Sequence, residues 1–529
     1  MGAVLSSIGR AFKGISTSIN TLRGLYSEFR DLEQRASAPA GYPVASPTKS
    51  FWLDDPPFPE LVDTRSPTLP DRADVVIIGS GITGAAIART ILTERNTDAT
   101  PHLDDIVVLE ARQLCSGATG RNGGHIKVSP HVTFDQLLQT VPPERAATLV
   151  RFMIRHLPVL TELTKSENIA VAECREVESV DFYLGERDLA GALRQVDQLR
   201  KWVPEFELHV WTAEEARQKF SVNEHVIGAI SYTAGALWPY RFVTAIWSDL
   251  LNRYSKSLSI ETSTTVLDVE LGSSVSGSGS YPYLVKTSRG IIQARHVVHA
   301  TNAFSTQLVP GLRGKMTSLL AHMSAQRPGK EFPDVNGSRS WSVMFGHGFD
   351  YITQRPTVNG VPGEIMLGGG FSQSEKQGVD QIGIFDDSKL NTLTVAHLDG
   401  IMPTIFSPNW GDDAVGGRMK RVWSGVVAIS ADFRPFVGRL DHRLTGRKVD
   451  ESRSGEWIAA GYTGDGMVWA WLCGTALGVM ITGKQDEKLP PAYGRPGGTL
   501  AEWFPEDLYA TPQRVNRMDV ADLAGMFMN

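Results

Sequence analysis

The eleven residues Asp74-Val-Val-Ile-Ile-Gly79-Ser-Gly81-Ile-Thr-Gly84 constrain what this chain can fold into more than any other stretch. The β-branched run reads as a buried strand, the glycines as a tight turn, and Ala85-Ala-Ile-Ala-Arg-Thr-Ile-Leu92 as the helix that follows. That order turns a short G-x-G-x-x-G into a dinucleotide fingerprint. Gly79 allows the turn, Gly81 lets the backbone approach a pyrophosphate, and Gly84 permits close helix–strand packing. Ile82 and Thr83 then belong to the helix N-terminus that receives the phosphates. The next apolar strand, Ile106-Val-Val-Leu-Glu110, ends in a carboxylate 26 residues after Gly84, placed to accept hydrogen bonds from a ribose 2′-OH. Glu110 therefore selects an unphosphorylated ribose.

The chain then reads Ala111-Arg-Gln-Leu-Cys-Ser116-Gly-Ala-Thr119-Gly120-Arg121-Asn122-Gly123-Gly124-His125, a polar, glycine-dense loop unsuited to regular structure. It resembles the flavin-contacting loop of the FAD-dependent oxidoreductases of the D-amino-acid oxidase superfamily, in particular the gamma-glutamylputrescine oxidoreductase-like and sarcosine oxidase-like branch. Further resemblances follow in the family's order. Gly235-Ala-Leu-Trp-Pro-Tyr-Arg precedes the return to the cofactor domain, and Thr265-Val266-Leu matches the strand facing adenine. Val297-Val-His-Ala300-Thr301-Asn matches a later strand and turn, while Trp423-Ser-Gly, Asp432-Phe-Arg434-Pro and Gly461-Tyr-Thr-Gly464-Asp465-Gly466-Met467 complete the set. Together they span residues 74–483.

The resemblance implies FAD as cofactor. Its implied contacts are the fingerprint residues with Glu110, Ala111 and Arg112; the loop from Ser116 through Thr119 to Gly124; Val266, Ala300 and Thr301; and Gly464–Met467. It also implies oxidation of a C–N bond in a small amine or amino-acid-like substrate, by hydride transfer to flavin N5, with oxygen or another electron acceptor restoring the cofactor. His125, Tyr351, Arg434 and Asp465 are the catalytic candidates, with Trp238, Tyr240, Arg241 and Trp423 also expected near the ring and Arg241 and Arg355 as carboxylate receivers. The family's roof-strand lysine, which helps activate oxygen, corresponds to Met366 here, so slow reaction with oxygen is expected unless Lys315 or Arg434 replaces it. The fingerprint alone also fits an NAD-dependent dehydrogenase, and the N-terminus fits a membrane-recruited interaction protein with an inactive flavin fold.

The expected fold is α/β, a Rossmann-type FAD-binding domain with an inserted antiparallel-sheet α+β substrate domain. Residues 71–130, 221–312 and 416–485 form the first, and 131–220 and 313–415 the second. Asn359-Gly360 between two apolar runs predicts a hairpin. Leu271–Ser280, rich in Gly and Ser, reads as a flexible hairpin tip. The apolar stretch Met467–Gly483 contains Gly474 and Gly478 and reads as a buried helix. Residues 37–70 are a proline-punctuated linker that wraps the catalytic body, and 486–529 a C-terminal tail.

Before the linker, residues 1–36 carry an apolar stripe from Val4 through Ile8, Phe12, Ile15, Ile19 and Leu22 to Phe29. Three readings fit: a membrane-surface anchor, a mitochondrial presequence, or a helix packed on its own enzyme. Gly2 and Ser6 also fit the myristoylation pattern. Lys and Arg number 52 against 58 Asp and Glu, a net charge of −6 without a basic block, which argues against a nucleic-acid partner. Three widely spaced cysteines provide neither a disulfide framework nor a metal knuckle, so no metal and a reducing intracellular setting are expected, cytoplasmic or mitochondrial.

Overall fold

The computed structural model describes residues 27–95, 103–272, 281–346, 348–450 and 452–523. Two sheets organise them. In the first, Arg72–Ile78 lies between Gly290–His299 and Ile106–Leu109, all parallel, with Leu258–Glu261 beyond the latter. Gly455–Ala460 pairs parallel on the far side of Gly290–His299 and carries Phe436–Arg439 antiparallel at the edge. Strands buried on both faces read as continuous apolar runs, which is why Val75, Val76, Ile77, Val108, Val297 and Val298 are all buried.

Helix Ile82–Glu94 packs against helix Ala470–Ile481 at very short range. A Cβ on Gly474 would stand 2.8 Å from the Thr83 carbonyl oxygen, and one on Gly478 would stand 2.5 Å from Thr90 Cβ. The two glycines of this stretch therefore serve a helix–helix contact. No helix among the described residues is long and apolar enough to cross a membrane.

The second sheet has nine strands in the order Met419–Ser430, Met316–Gln326, Ile365–Gly369, Gly348–Gln354, Arg339–Phe345, Arg175–Tyr183, Gly228–Ala236 and His125–Ile126, with His209–Thr212 paired to Gly228–Ala236. All pairings are antiparallel except Arg339–Phe345 with Arg175–Tyr183. Asn359 and Gly360 both adopt positive φ, as the predicted turn requires. The expected domain bounds differ from sheet membership: Gly228–Ala236 and Met419–Ser430, assigned to the cofactor domain, are strands of the second sheet.

The ends of the chain also depart from expectation. Over residues 486–523 the expected C-terminal tail is packed: Trp503, Phe504, Leu508, Val515 and Met518 are buried in the body. The amphipathic stripe up to residue 26, the myristoylation pattern and most of the Gly/Ser tip fall outside the described residues. Helix 27–37 docks on the enzyme: Leu32 and Ala36 pack with Ile382, Ile429 and Val520, and Arg35 Nε donates to the Ile382 carbonyl at 2.5 Å.

Candidate active site and cofactor cavity

The parallel strands of the first sheet deliver their carboxyl ends to one cavity of about 860 Å³. It runs from Val266 and Glu110 past the fingerprint turn to the face of the second sheet at Tyr351. Gly79 sits at φ +110, and a Cβ there would stand 2.6 Å from the Ala300 carbonyl oxygen. Gly84 lies behind the cavity wall, where a Cβ would meet the Gly79 carbonyl oxygen at 2.1 Å. Gly81 begins the helix with no side-chain cap, so the amides of the first turn are directed to the cavity that Gly81, Ile82 and Thr83 line. The Ile82 amide is the exception, donating to Thr119 Oγ1 at 3.0 Å. Glu110 is aimed by its neighbours: Ser80 Oγ donates to Oε2 at 2.6 Å and the Arg112 amide to Oε1 at 3.0 Å.

The loop after Glu110 is fixed by several partners. Asn122 Nδ2 donates to the Thr119 carbonyl at 3.1 Å, and its Oδ1 accepts the Gly124 amide at 2.8 Å. Arg121 is buried, donating through Nε to the Ser424 carbonyl at 2.8 Å, while its Nη1 has no partner. Burial lowers its pKa to about 10, against the pull of Asp387, so it stays cationic at neutral pH. Arg121 thus contributes a fixed positive charge to the cavity lining, which suits an anionic ligand. Ala111, Arg112, Thr119, Asn122 and Gly123 line the cavity too. Ser116, Gly120 and Gly124 do not; they shape the loop, with Gly124 at φ +72 and a Gly120 Cβ blocked at 2.7 Å by the Cys115 carbonyl oxygen. On the opposite wall Ala300, Thr301 and Gly464–Met467 reach the cavity, and Asn302 Oδ1 holds the glycine loop by accepting the Gly461 amide at 2.9 Å.

Three of the four catalytic candidates converge at the second sheet. Tyr351 covers Gly123, where a Cβ would be 2.5 Å from Tyr351 Cε2, and its ring centroid is 6.2 Å from that of His125. Burial raises the Tyr351 hydroxyl pKa, and it keeps His125 neutral with Lys127 adding to the effect. Asp465 is an exposed residue of the cavity lining, set within the walls of a deep cavity. Desolvation there pushes its pKa up to about 7, with Lys127 pulling the other way.

Arg434 is a correction. It does not reach the cavity; Asp432 at 2.8 Å and Asp507 at 3.0 Å hold it on the far side. Arg241 and Arg355 also stay outside, stacked over the Trp238 ring at 3.6 and 4.4 Å and paired with Asp55, Glu173 and Glu364. Trp238 and Trp423 are struts, donating to the carbonyls of Trp52 and Arg121, each at 2.8 Å. Tyr240 is buried behind the wall.

Met366 is fully buried in the core and does not line the cavity, so the expectation of slow oxygen reaction loses its basis. Lys315 is likewise elsewhere, donating to the Met518 carbonyl. The ammonium that does line this end is Lys127, which sequence reasoning missed. Its Nζ donates to Asp181 Oδ1 and Ser342 Oγ, each at 2.7 Å, and Asp181 also accepts from Tyr232 at 2.8 Å. Lys127 follows directly on the two-residue strand His125–Ile126, and its partners come from strands distant in sequence, so no local pattern singled it out.

A helix N-terminus aimed at one end, a ribose carboxylate beside it and a polar wall at the other end define a dinucleotide-binding oxidoreductase. The residues fit FAD, with phosphate-binding amides, the Arg121 cation in the lining and the loop Gly461–Met467 at the far wall. Residues 74–478 match the family described as FAD dependent oxidoreductase, and the chain belongs to that family. FAD is therefore the cofactor, and the NAD-dependent reading is set aside. The chain is 22% identical over 471 residues to the probable oxidoreductase OrdL of Haemophilus influenzae, covering 84% of this chain and 92% of that one. Glycine oxidase from Bacillus cereus is similar in fold, with TM-score 0.58 and 17% identity over 78% of this chain and 96% of that chain. L-amino acid deaminase from Proteus vulgaris gives 0.56 and 17% over 82% and 96%.

Proposed function

We propose that this FAD-dependent oxidoreductase oxidises a C–N bond of a small amine or amino-acid-like molecule, in the manner of the gamma-glutamylputrescine and sarcosine oxidase-like branch. The chemistry supplied by bound FAD is two-electron oxidation, the hydride of the carbon beside nitrogen leaving to N5. The names of the similar structures, a glycine oxidase and an L-amino acid deaminase, support the substrate class.

The observation that carries the reading is Asp465. Among the described residues it has no ion-pair partner, it faces the cavity, and its pKa near 7 lets it take a proton from a substrate ammonium at neutral pH. A neutral amine is the form that can lose hydride. Tyr351 and His125, both neutral, offer a hydroxyl and an imidazole to orient the nitrogen and exclude water.

Anaerobic mixing with an amine library tests the reaction, since a working site bleaches the flavin absorbance. No bleaching by any amine or amino acid would favour the inactive-fold reading. With a reducing substrate in hand, kcat/KM should rise as pH passes through about 7, because the base works only when ionised. Asp465→Asn should lower kcat/KM by about a hundredfold and abolish that limb, a size typical of a lost general base. An unchanged pH profile in Asp465→Asn would remove the carboxylate from this role.

A further inference from the structure

The family match begins at residue 74, yet a segment upstream of it contributes to the cofactor cavity. Gly41, Tyr42 and Pro43 line the end where Glu110 and Val266 lie. They are tied there from two sides: the Gly41 amide donates to Gln307 Oε1 at 3.0 Å, and the Tyr42 hydroxyl donates to the Leu267 carbonyl at 2.8 Å.

The same segment then reaches the loop that carries Arg121. Arg121 Nη2 donates to the Thr48 carbonyl at 2.5 Å and to Thr48 Oγ1 at 2.6 Å. Ser50 Oγ donates to the Gly120 carbonyl at 2.7 Å, and Trp52 Nε1 to the Asn122 carbonyl at 2.5 Å. Three consecutive residues of the flavin loop are therefore held by three residues of the upstream segment. Ser50 and Trp52 are both buried.

Asp387 closes the arrangement from the second domain. Its carbonyl accepts the Thr48 amide at 2.8 Å, while its buried carboxylate takes Arg112 Nη1 at 3.0 Å and Arg121 Nε at 3.4 Å. Apart from the short turn Phe51–Leu53, the segment forms no helix or strand of its own. Its polar backbone is satisfied largely by the elements that surround the cofactor.

We propose that residues 41–52 are a clasp for FAD: Gly41–Pro43 enclose the adenosine half, and Thr48, Ser50 and Trp52 hold the flavin loop in its binding conformation. Cofactor release then requires the segment to detach. The inference rests on FAD binding, not on the identity of the substrate.

The test uses full-length holoenzyme and the variants Tyr42→Ala and Thr48→Val, with Val415→Ser, fully exposed and remote from the clasp, as control. FAD release is followed by the rise of flavin fluorescence on dilution, and affinity by titrating apoprotein with FAD. Each clasp variant should release FAD at least about tenfold faster than wild type, the size expected for loss of hydrogen bonds to a charged group or of a contact wall. The apoprotein's melting temperature should change much less than that of the holoprotein. In limited chymotrypsin digestion, FAD should protect the chain at Tyr42.

Release within twofold of wild type in both variants would overturn the clasp. So would equal destabilisation of apo and holo forms, which marks a merely structural segment, or cleavage at Tyr42 indifferent to FAD. A wild-type protein that purifies colourless and takes up no FAD would instead overturn the cofactor reading, so the two failures are distinguishable.

Discussion

Replacing Lys127 by Met removes the ammonium from the cavity while nearly preserving side-chain length. Asp181 is fully buried, and Lys127 is its one cationic partner among the described residues, at 2.7 Å. Deleting one member of a buried pair costs about 3–5 kcal/mol, because the remaining charge stays desolvated. Asp181 keeps the Tyr232 hydroxyl at 2.8 Å and Ser129 Oγ at 3.2 Å, which places the loss near the lower limit, about 3 kcal/mol, or roughly a hundredfold in the unfolding equilibrium. The sign with pH follows from the carboxylate. In the wild type its pKa is lowered, Lys127 opposing the burial, so its stability contribution is present above the usual carboxylate range and lost as pH falls through the folded value. Without Lys127, burial acts unopposed by that charge and the pKa rises, so Lys127→Met should be relatively more stable at pH 5 than at pH 8. Urea unfolding of the holoprotein at both pH values measures this. Lys127→Met combined with Asp181→Asn should recover most of the loss, since no unpaired charge remains. A single variant that loses less than about 1 kcal/mol, or a double variant no better than the single, would refute the reasoning.

Gly81→Val meets only the Thr119 side chain, at 2.9 Å, so it should fold but purify colourless; retained stoichiometric FAD would sink the fingerprint assignment. Gly84→Val collides with backbone instead, at 2.1 Å from the Gly79 carbonyl oxygen, and should lose soluble expression as well as flavin. Arg434→Met should cost no more than about 3 kcal/mol, the lower limit for a broken buried pair, because Asp432 keeps Arg514 and Asp507 keeps Arg145, and it should leave kcat within twofold, as measured by denaturation and turnover. A large loss of kcat at unchanged stability would restore Arg434 to the site.

The cofactor half was legible because its constraints are local. Gly79, Gly81 and Gly84 are dictated by backbone geometry within one strand–turn–helix unit, and Glu110 by the end of the next strand; all four stand in or directly behind the cavity wall. The substrate half was less so, since its residues meet only through long-range pairing. Lys127 acquires its partners from Arg175–Tyr183 and Arg339–Phe345, more than fifty and two hundred residues away in sequence, which no local pattern announces. Arg434 and Arg355 misled for the complementary reason: an arginine beside a motif reads as functional until the distant carboxylates that occupy it are known. The linker reading of residues 37–70 captured the wrapping but not that the segment lines the cavity, because irregular backbone leaves no periodicity to read.

Charge placement around the cavity separates the groups held by ion pairs from the proposed base. Arg112 and Arg121 share the Asp387 carboxylate, and Lys127 pairs with Asp181, each contact joining elements distant in sequence. An unpaired buried charge is costly, so such pairs hold these cations in place. Asp465 is positioned by another means. Its loop passes through positive φ at Gly461, Thr463 and Gly464, and Asn302, itself at φ +49, secures it through the Gly461 amide. Two non-glycine residues in the left-handed region store strain that nearby packing must hold. A carboxylate kept unpaired by strained backbone at a cavity wall does nothing for stability, and local rules of this kind are broken chiefly at sites of function. Thr463, β-branched and at φ +47 two residues before Asp465, is the position whose backbone the loop must hold, and the proposed role of Asp465 rests on its unpaired carboxylate at the cavity wall together with its elevated pKa.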